Sequence, residues 1–107
     1  MKFPLKGIRV VDASTVLAGP SVGMFLAELG ADVVKIEHPK HRDVTRSWKL
    51  PKENNEASVS AYFSSINYLK TYTCLNLKDE DDHQAFLEHV QDSDCLLYTS
   101  PSPRDDR

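Results

Sequence analysis

The turn at residues 14–19, Ser-Thr-Val-Leu-Ala-Gly, is the part of the sequence best placed to hold a ligand. A dinucleotide-binding turn carries the pattern G-x-G-x-x-G, which lets the backbone approach a pyrophosphate. This turn has only Gly19 and Gly23, and Pro20 between them has no N–H to donate to a phosphate. The sequence therefore disfavours a dinucleotide site. The small polar and apolar side chains at 14–18 suit a nucleotide base or a pantetheine arm better.

Basic residues are concentrated just after this region, at 35–46. Four cationic side chains oppose two carboxylates there, in a chain whose net charge is −3: Lys35, Lys40, Arg42 and Arg46 against Glu37 and Asp43. His38 and His41 add charge when protonated. Such a run is often only a solvated loop, but its position beside the turn favours contacts to phosphates. Lys78 is expected on the same rim, unless it is an ordinary surface lysine.

Other reactive residue types do not form a convincing catalytic or metal site. His38 and His41 lack a third metal ligand, and Ser14 and Ser21 lack the G-x-S-x-G pattern of serine hydrolases. Asp12 is expected to orient the turn that follows it. We predict no metal site and no catalytic residue. Cys74 and Cys95 lie in apolar stretches without C-x-x-C spacing, which predicts buried, reduced thiols.

The first elements form a β-α-β unit. Residues 7–12 and 31–37 read as buried strands, and 20–29 as a helix between them, starting at Pro20 and ending before Gly30. Val22, Phe25, Leu26 and Leu29 have the spacing of a buried helical stripe. Gly23 is expected to allow close packing of this helix on the sheet. Short connections make the two strands parallel.

The second half is less regular. Residues 38–57 predict a long loop in which Trp48 serves as an anchor, and 58–70 are ambiguous between a short helix and irregular structure. A third strand is predicted at 71–77. The next segment, 78–94, opens with acidic residues 79–82, which favour a helix start, and carries the apolar stripe Phe86, Leu87 and Val90. A fourth strand is predicted at 94–98.

Composition limits the class of protein. A chain of 107 residues with 40% hydrophobic content can form one globular domain. The net charge of −3 argues against nucleic acid or an anionic membrane as a partner. No apolar run has membrane-spanning length and no signal peptide is recognisable, so a cytoplasmic location is expected.

Taken in order, the segments 4–39, 42–48 and 66–82 closely resemble the N-terminal region of the family III CoA-transferases, which include formyl-CoA transferase, carnitine CoA-transferase and α-methylacyl-CoA racemase. The resemblance covers residues 4 to about 95. It lies in "LAGP", "LAELGADVVKIE", the D-x-x-R of Asp43 and Arg46, and "LNLK". Family members often carry arginine at the position of His38, and their Asn-Lys-Arg sequence is altered around Asn67 and Lys70.

The resemblance implies a Rossmann-like open parallel sheet with flanking helices, as the incomplete N-terminal part of a larger interlocked homodimer. It implies that CoA or acyl-CoA binds as a substrate, with a carboxylic acid as acceptor and no tightly bound cofactor. In the family, an aspartate nucleophile attacks the thioester; the resemblance places it downstream of Arg107, and neither Asp12 nor Asp43 matches it. The implied CoA contacts are Val16, Leu17, Ala18, His38, Leu75, Asn76, Leu77 and Lys78.

Two alternatives remain open at the level of sequence. One is the α-methylacyl-CoA racemase of the same family, and the other is a non-catalytic flavodoxin-like nucleotide-binding or interaction module. We assign residues 1–95 to a truncated CoA-binding half-domain. Residues 96–107 are predicted to be a non-native or disordered tail, because "LLYTSPSPRD" resembles a recurring string in translated metagenomic assemblies.

Overall fold

The computed structural model describes residues 3–57 and 59–98. Along the chain the elements are β1 (Arg9–Ala13), α1 (Ala18–Glu28), β2 (Asp32–Glu37), a 3₁₀ turn (Val44–Ser47), α2 (Ala61–Asn67), β3 (Thr71–Cys74), α3 (Glu80–Gln91) and β4 (Cys95–Tyr98). The strands form one parallel sheet in the order β3-β2-β1-β4. This is the order of the first four strands of a Rossmann sheet. The predicted α/β fold with a parallel sheet and flanking helices is confirmed.

Helices cover both faces of the sheet. On one face, Val10 and Val33 pack with Ala27 and Ala31 from α1 and the residues that follow it. On the other face, Val11, Ile36 and Leu75 pack against Ala85, Phe86 and Val90 of α3. Alternate residues of the central strands β1 and β2 thus enter two separate cores, which explains the consecutive valines in both strands.

Helix α1 differs from the prediction in its start and in its buried face. It begins at Ala18, two residues before Pro20, and its buried residues are Pro20, Gly23 and Ala27. Val22 and Phe25, predicted to be buried, are 49% and 62% exposed. The helix lies against the sheet through its smallest residues, so Val22 and Phe25 point outward, whereas Leu26 of the predicted stripe packs at the edge of the core.

The two cysteines lie on the edge strands β3 and β4, and they are less buried than predicted. Cys74 on β3 is exposed and Cys95 on β4 is half-buried, and both are free thiols. An edge strand has a neighbour on one side only, so its side chains are less covered than those of β1 and β2. The predicted fourth strand is confirmed, with Leu96 and Leu97 paired to Val11 and Asp12. Residues 99–107 of the predicted tail lie outside the described residues.

The remaining elements follow local signals. The ambiguous stretch contains α2, whose N-cap Ser60 accepts a hydrogen bond from the N–H of Phe63. β3 ends at Cys74, earlier than predicted, and Leu87 of the predicted α3 stripe is 44% exposed. Trp48 is 46% exposed and contacts the edge of Tyr62, with ring centroids 5.3 Å apart. Within residues 3–57 and 59–98, no helix has the length and apolar content needed to cross a bilayer.

Candidate functional site

A cleft of about 520 Å³ lies at the carboxyl ends of β1, β2 and β3. Parallel sheets commonly bind ligands at this edge. Five of the predicted contact residues line it: His38, Leu75, Asn76, Leu77 and Lys78. The rest of the lining comes from Ala13, Thr15, Ile36, Glu37, His41 and Asp43.

The wall formed by residues 75–78 is fixed by hydrogen bonds at several points. The N–H of Leu75 donates to the carbonyl of Glu37 at 2.8 Å, which continues the pairing of β3 with β2. The side-chain oxygen of Asn76 accepts from the N–H of Lys78 at 3.1 Å. Asp82 of α3 accepts from the N–H of Asn76 at 2.9 Å. The two bonds at Asn76 turn the chain along the cleft, and Leu77 and Lys78 are exposed at its mouth.

His38 enters the cleft with a defined arrangement of its ring nitrogens. Its Nδ1 accepts hydrogen bonds from the N–H groups of Lys40 and His41, at 3.0 and 3.1 Å. Because Nδ1 is the acceptor, the proton of the neutral ring lies on Nε2, which is then a donor. The His41 ring lies beside it, with ring centroids 4.7 Å apart and the ring planes tilted by 38°.

The turn between β1 and α1 carries the other three predicted contacts, and they do not line this cleft. Val16 has a positive φ of 71°, an unusual conformation for a β-branched residue. Leu17 is the N-cap of α1 without a side-chain cap and is 51% exposed, and Ala18 is the first residue of the helix. Thr15, predicted only as part of the turn, supplies the turn's contribution to the lining.

A buried ion pair lies beneath this turn. Lys35 Nζ is 3.1 Å from Asp43 Oδ2, and both side chains are fully buried. Burial alone raises the pKa of Asp43, but hydrogen bonds from the N–H and hydroxyl of Thr45 and from Lys35 outweigh it and lower that pKa. Asp43 is therefore a carboxylate at neutral pH.

Glu37 is the centre of a second charged group. Arg46 donates to it from Nε and Nη2 at 2.9 and 2.6 Å, and Arg42 donates from Nη2 at 2.7 Å. Burial raises the pKa of Glu37, but the bonds from Arg46, Arg42 and the Asp43 N–H overcome this and lower it to about 2. The Arg46 guanidinium also lies 4.0 Å from the centre of the Phe63 ring.

These ion pairs engage three of the four cations at residues 35–46 that were expected to contact phosphates. Lys35 is buried against Asp43, and both arginines of the segment are bound to Glu37. Lys78 remains exposed on the rim of the cleft, and Lys40 is exposed outside it. The sequence alone does not show these ion pairs, because they form only when residues 35–46 fold back and bring opposite charges of the same segment together.

Asp12, expected to orient the turn, does so. Its Oδ1 accepts from the N–H of Ser14 at 3.0 Å and also from the Ser14 hydroxyl, and its Oδ2 lies 2.7 Å from Lys70 Nζ. The partnership with Lys70 was not predicted. The sequence signals for it were a lysine that follows a serine-rich segment and the family resemblance around Asn67 and Lys70.

Comparisons with known proteins agree with this architecture. The sequence profile of CoA-transferase family III matches residues 5–104. A Mus musculus protein named succinyl-CoA:glutarate CoA-transferase is 47% identical over 76 residues, which are 71% of this chain and 17% of that protein. An Acetobacter aceti protein named acetyl-CoA:oxalate CoA-transferase is 43% identical over 95 residues, which are 89% of this chain and 23% of that protein.

A solved structure gives the same result for the fold. The crystal structure of a CAIB/BAIF family protein from Brucella suis matches with a TM-score of 0.80 and 35% sequence identity, covering 90% of this chain and 25% of that one. The chain thus spans a quarter or less of the length of these relatives. Since the family profile covers nearly the whole sequence and the fold agrees, the chain belongs to CoA-transferase family III.

Proposed function

We propose that this chain is the N-terminal, CoA-binding part of an enzyme that moves coenzyme A between an acyl-CoA thioester and a carboxylic acid. The observation that carries the proposal is the cleft. Two segments distant in sequence, His38 and residues 75–78, meet there at the carboxyl edge of the sheet. The names of the relatives, which describe CoA transfer between acids, favour transfer over racemisation.

The charges around the cleft indicate how a phosphorylated ligand would lie. Both carboxylates in the lining, Glu37 and Asp43, are offset by their own cationic partners. The first turn of α3 is acidic, at residues 80–82, so its N-terminus is a poor anion site. Lys78 and the Nε2 donor of His38 are therefore the groups that would meet phosphates. The apolar side chains of Ile36, Leu75 and Leu77 suit the base or the pantetheine arm.

We infer that the catalytic aspartate is not among the 107 residues of this chain. In the transfer reaction, an aspartate oxygen attacks the thioester carbonyl and the C–S bond breaks, so that CoA leaves as a thiolate and a mixed anhydride of the aspartate and the donor acid is formed. The thiolate then attacks the aspartyl carbonyl, releasing the donor acid and forming an aspartyl-CoA thioester. The acceptor carboxylate attacks this thioester, and the two steps run in reverse to give the new acyl-CoA and the free aspartate. Asp12 and Asp43 are held in buried ion pairs and do not suit this role.

The assembly expected for the complete enzyme is an interlocked homodimer. The chain alone would bind CoA without turning it over. The exposed apolar side chains of α1, Val22 and Phe25, are consistent with further protein covering this helix in the complete enzyme.

Calorimetric titration of the 107-residue chain with CoA, dephospho-CoA and pantetheine tests the proposal. We expect CoA to bind and Lys78→Ala to weaken binding by about tenfold, since a charged contact to phosphate is lost. Lys52→Ala, at an exposed lysine outside the cleft, is the matched control and should bind as the wild type does. Absence of CoA binding, or equal effects of the two substitutions, would overturn the assigned site.

A further inference from the structure

The ion pair of Lys35 and Asp43 holds the β1–α1 turn at two consecutive peptide groups, one on each side of Thr15. Lys35 Nζ donates to the carbonyl of Ser14 at 2.9 Å. Asp43 Oδ2 accepts from the N–H of Val16 at 3.3 Å. Each member of this fully buried pair thus forms a hydrogen bond with one peptide group of the turn. We refer to Lys35 and Asp43 together as the turn clamp.

The conformation that the clamp holds is not one that the turn would adopt by itself. Val16 has φ 71°, in the left-handed region where a β-branched side chain meets its own backbone. Such a residue persists only where surrounding contacts hold it. The Val16 N–H is the group of that residue that Asp43 binds, so the contact acts where the strain is.

A carboxylate is the side chain that this position requires. Asp43 Oδ1 accepts from the N–H and the hydroxyl of Thr45, at 3.0 and 2.8 Å. Oδ2 accepts from Lys35 and Val16. Every partner is a donor, so an asparagine would place its NH₂ group against another donor on one side or the other.

We propose that Asp43 is a positioning residue for CoA binding: through Val16 it sets the shape of residues 14–18 before the ligand arrives. The proposal rests on the proposed function, because residues 16–18 are predicted contacts of CoA that lie next to the cleft without lining it. Thr15 lies between these two hydrogen-bonded peptide groups, and it lines the cleft. A turn ordered in advance removes the ordering cost from the binding step, which increases affinity.

The double variant Lys35→Met/Asp43→Asn tests this in the 107-residue chain. It removes both buried charges together, so no unpaired ion remains, and the side-chain oxygen of the introduced asparagine can still accept from Thr45. Two measurements are made: CoA affinity by calorimetry and hydrogen exchange of the Val16 amide by NMR. We expect CoA to bind about tenfold more weakly and the Val16 amide to exchange about tenfold faster, because the turn is no longer ordered in advance.

Thr45→Val is the matched control. It removes one hydrogen bond to Asp43 Oδ1 and leaves Oδ2 on the turn. It should lower the melting temperature while CoA affinity and Val16 exchange stay close to the wild type. A purely structural role for Asp43 would instead make both variants lose stability without a change in CoA affinity.

The outcomes separate the two proposals. If the wild-type chain fails to bind CoA, both the proposed function and the positioning role of Asp43 are overturned. If wild type binds CoA and the double variant binds it equally well, only the positioning role is overturned. A Val16 amide that exchanges freely in the wild type, which needs no variant to measure, also overturns the positioning role.

Discussion

Lys70 Nζ lies 2.7 Å from Asp12 Oδ2, and both side chains are fully buried. The same ammonium group donates to the carbonyl of Pro20 at 2.9 Å and to the side-chain oxygen of Asn67 at 2.6 Å. All three protons of the lysine are therefore used. One buried cation joins β1, α1 and α2, and it fixes the end of β1, from which the turn to α1 begins.

Removing Lys70 should therefore destabilise the fold strongly. In Lys70→Met, Asp12 is left as a buried charge without its partner, and we expect a loss of about 3–5 kcal/mol in the free energy of unfolding. Asp12→Asn/Lys70→Met should recover much of this loss, because no isolated charge remains. Urea denaturation measures both, with Lys52→Met at an exposed lysine as the control. A double variant no more stable than the single one would contradict this account.

Gly23 packs directly over this ion pair. A Cβ atom there would lie 3.0 Å from Asp12 Oδ2 and 3.2 Å from Lys70 Nζ. Alanine normally stabilises a helix relative to glycine by about 0.5–1 kcal/mol, but overpacking costs about 1–3 kcal/mol. We expect Gly23→Ala to lower stability by about 1–2 kcal/mol, measured by urea denaturation. Val22→Ala, on the exposed side of the same helix, should change it little; a Gly23→Ala protein more stable than the wild type would show that the helix has room to shift.

Glu37 makes stability depend on pH in the acid range. Its pKa in the folded protein, about 2, is below the ordinary value of 4.5. The ionised form is thus favoured by folding, and the stabilisation is complete above about pH 4.5 and lost as the pH falls toward 2. The difference corresponds to about 3 kcal/mol. We expect Glu37→Gln to be less stable than the wild type at pH 7 and nearly equal to it at about pH 2, by chemical denaturation.

The control for this experiment is Glu88→Gln, at an exposed carboxyl group of α3. A stability gap between wild type and Glu37→Gln that stays constant from about pH 7 to about pH 2 would disprove the assignment of the acid sensitivity to Glu37. Asp43, whose pKa is also lowered, supports the fold in the same direction, so the variant keeps part of the pH dependence.

The fold was largely predictable because its central strands, β1 and β2, are short and rich in valine and isoleucine and are separated by clear turn and helix signals. Periodicity failed on α1, where Val22 and Phe25 have the spacing of a buried stripe yet lie outward. Gly23 lies on the buried side, because the close approach to Asp12 and Lys70 leaves no room there for a larger residue. A hydrophobicity pattern does not contain that constraint.

The site was predictable in its location but not in its electrostatics. His38 and residues 75–78 meet because the ends of parallel strands share one edge of the sheet, which sequence order already implies. The pairing of Lys35 with Asp43, and of Arg46 with Glu37, depends on how the loop after β2 folds back. Sequence showed the charges in that loop but not which of them meet.

Arg46 shows how specific these pairings are. Its guanidinium forms a two-point contact with Glu37 and lies over the Phe63 ring, whereas Arg42 donates to Glu37 from a side chain that is 38% exposed. Lysine cannot reproduce a planar two-point contact with stacking, so we expect Arg46→Lys to lower stability by about 1–3 kcal/mol. Arg42→Lys, beside the same carboxylate, should cost less than about 1 kcal/mol, because water already screens that pair. Urea denaturation of the two variants compares them directly. Equal losses would mean that only the positive charge at position 46 matters, and that the shape of the guanidinium contributes nothing.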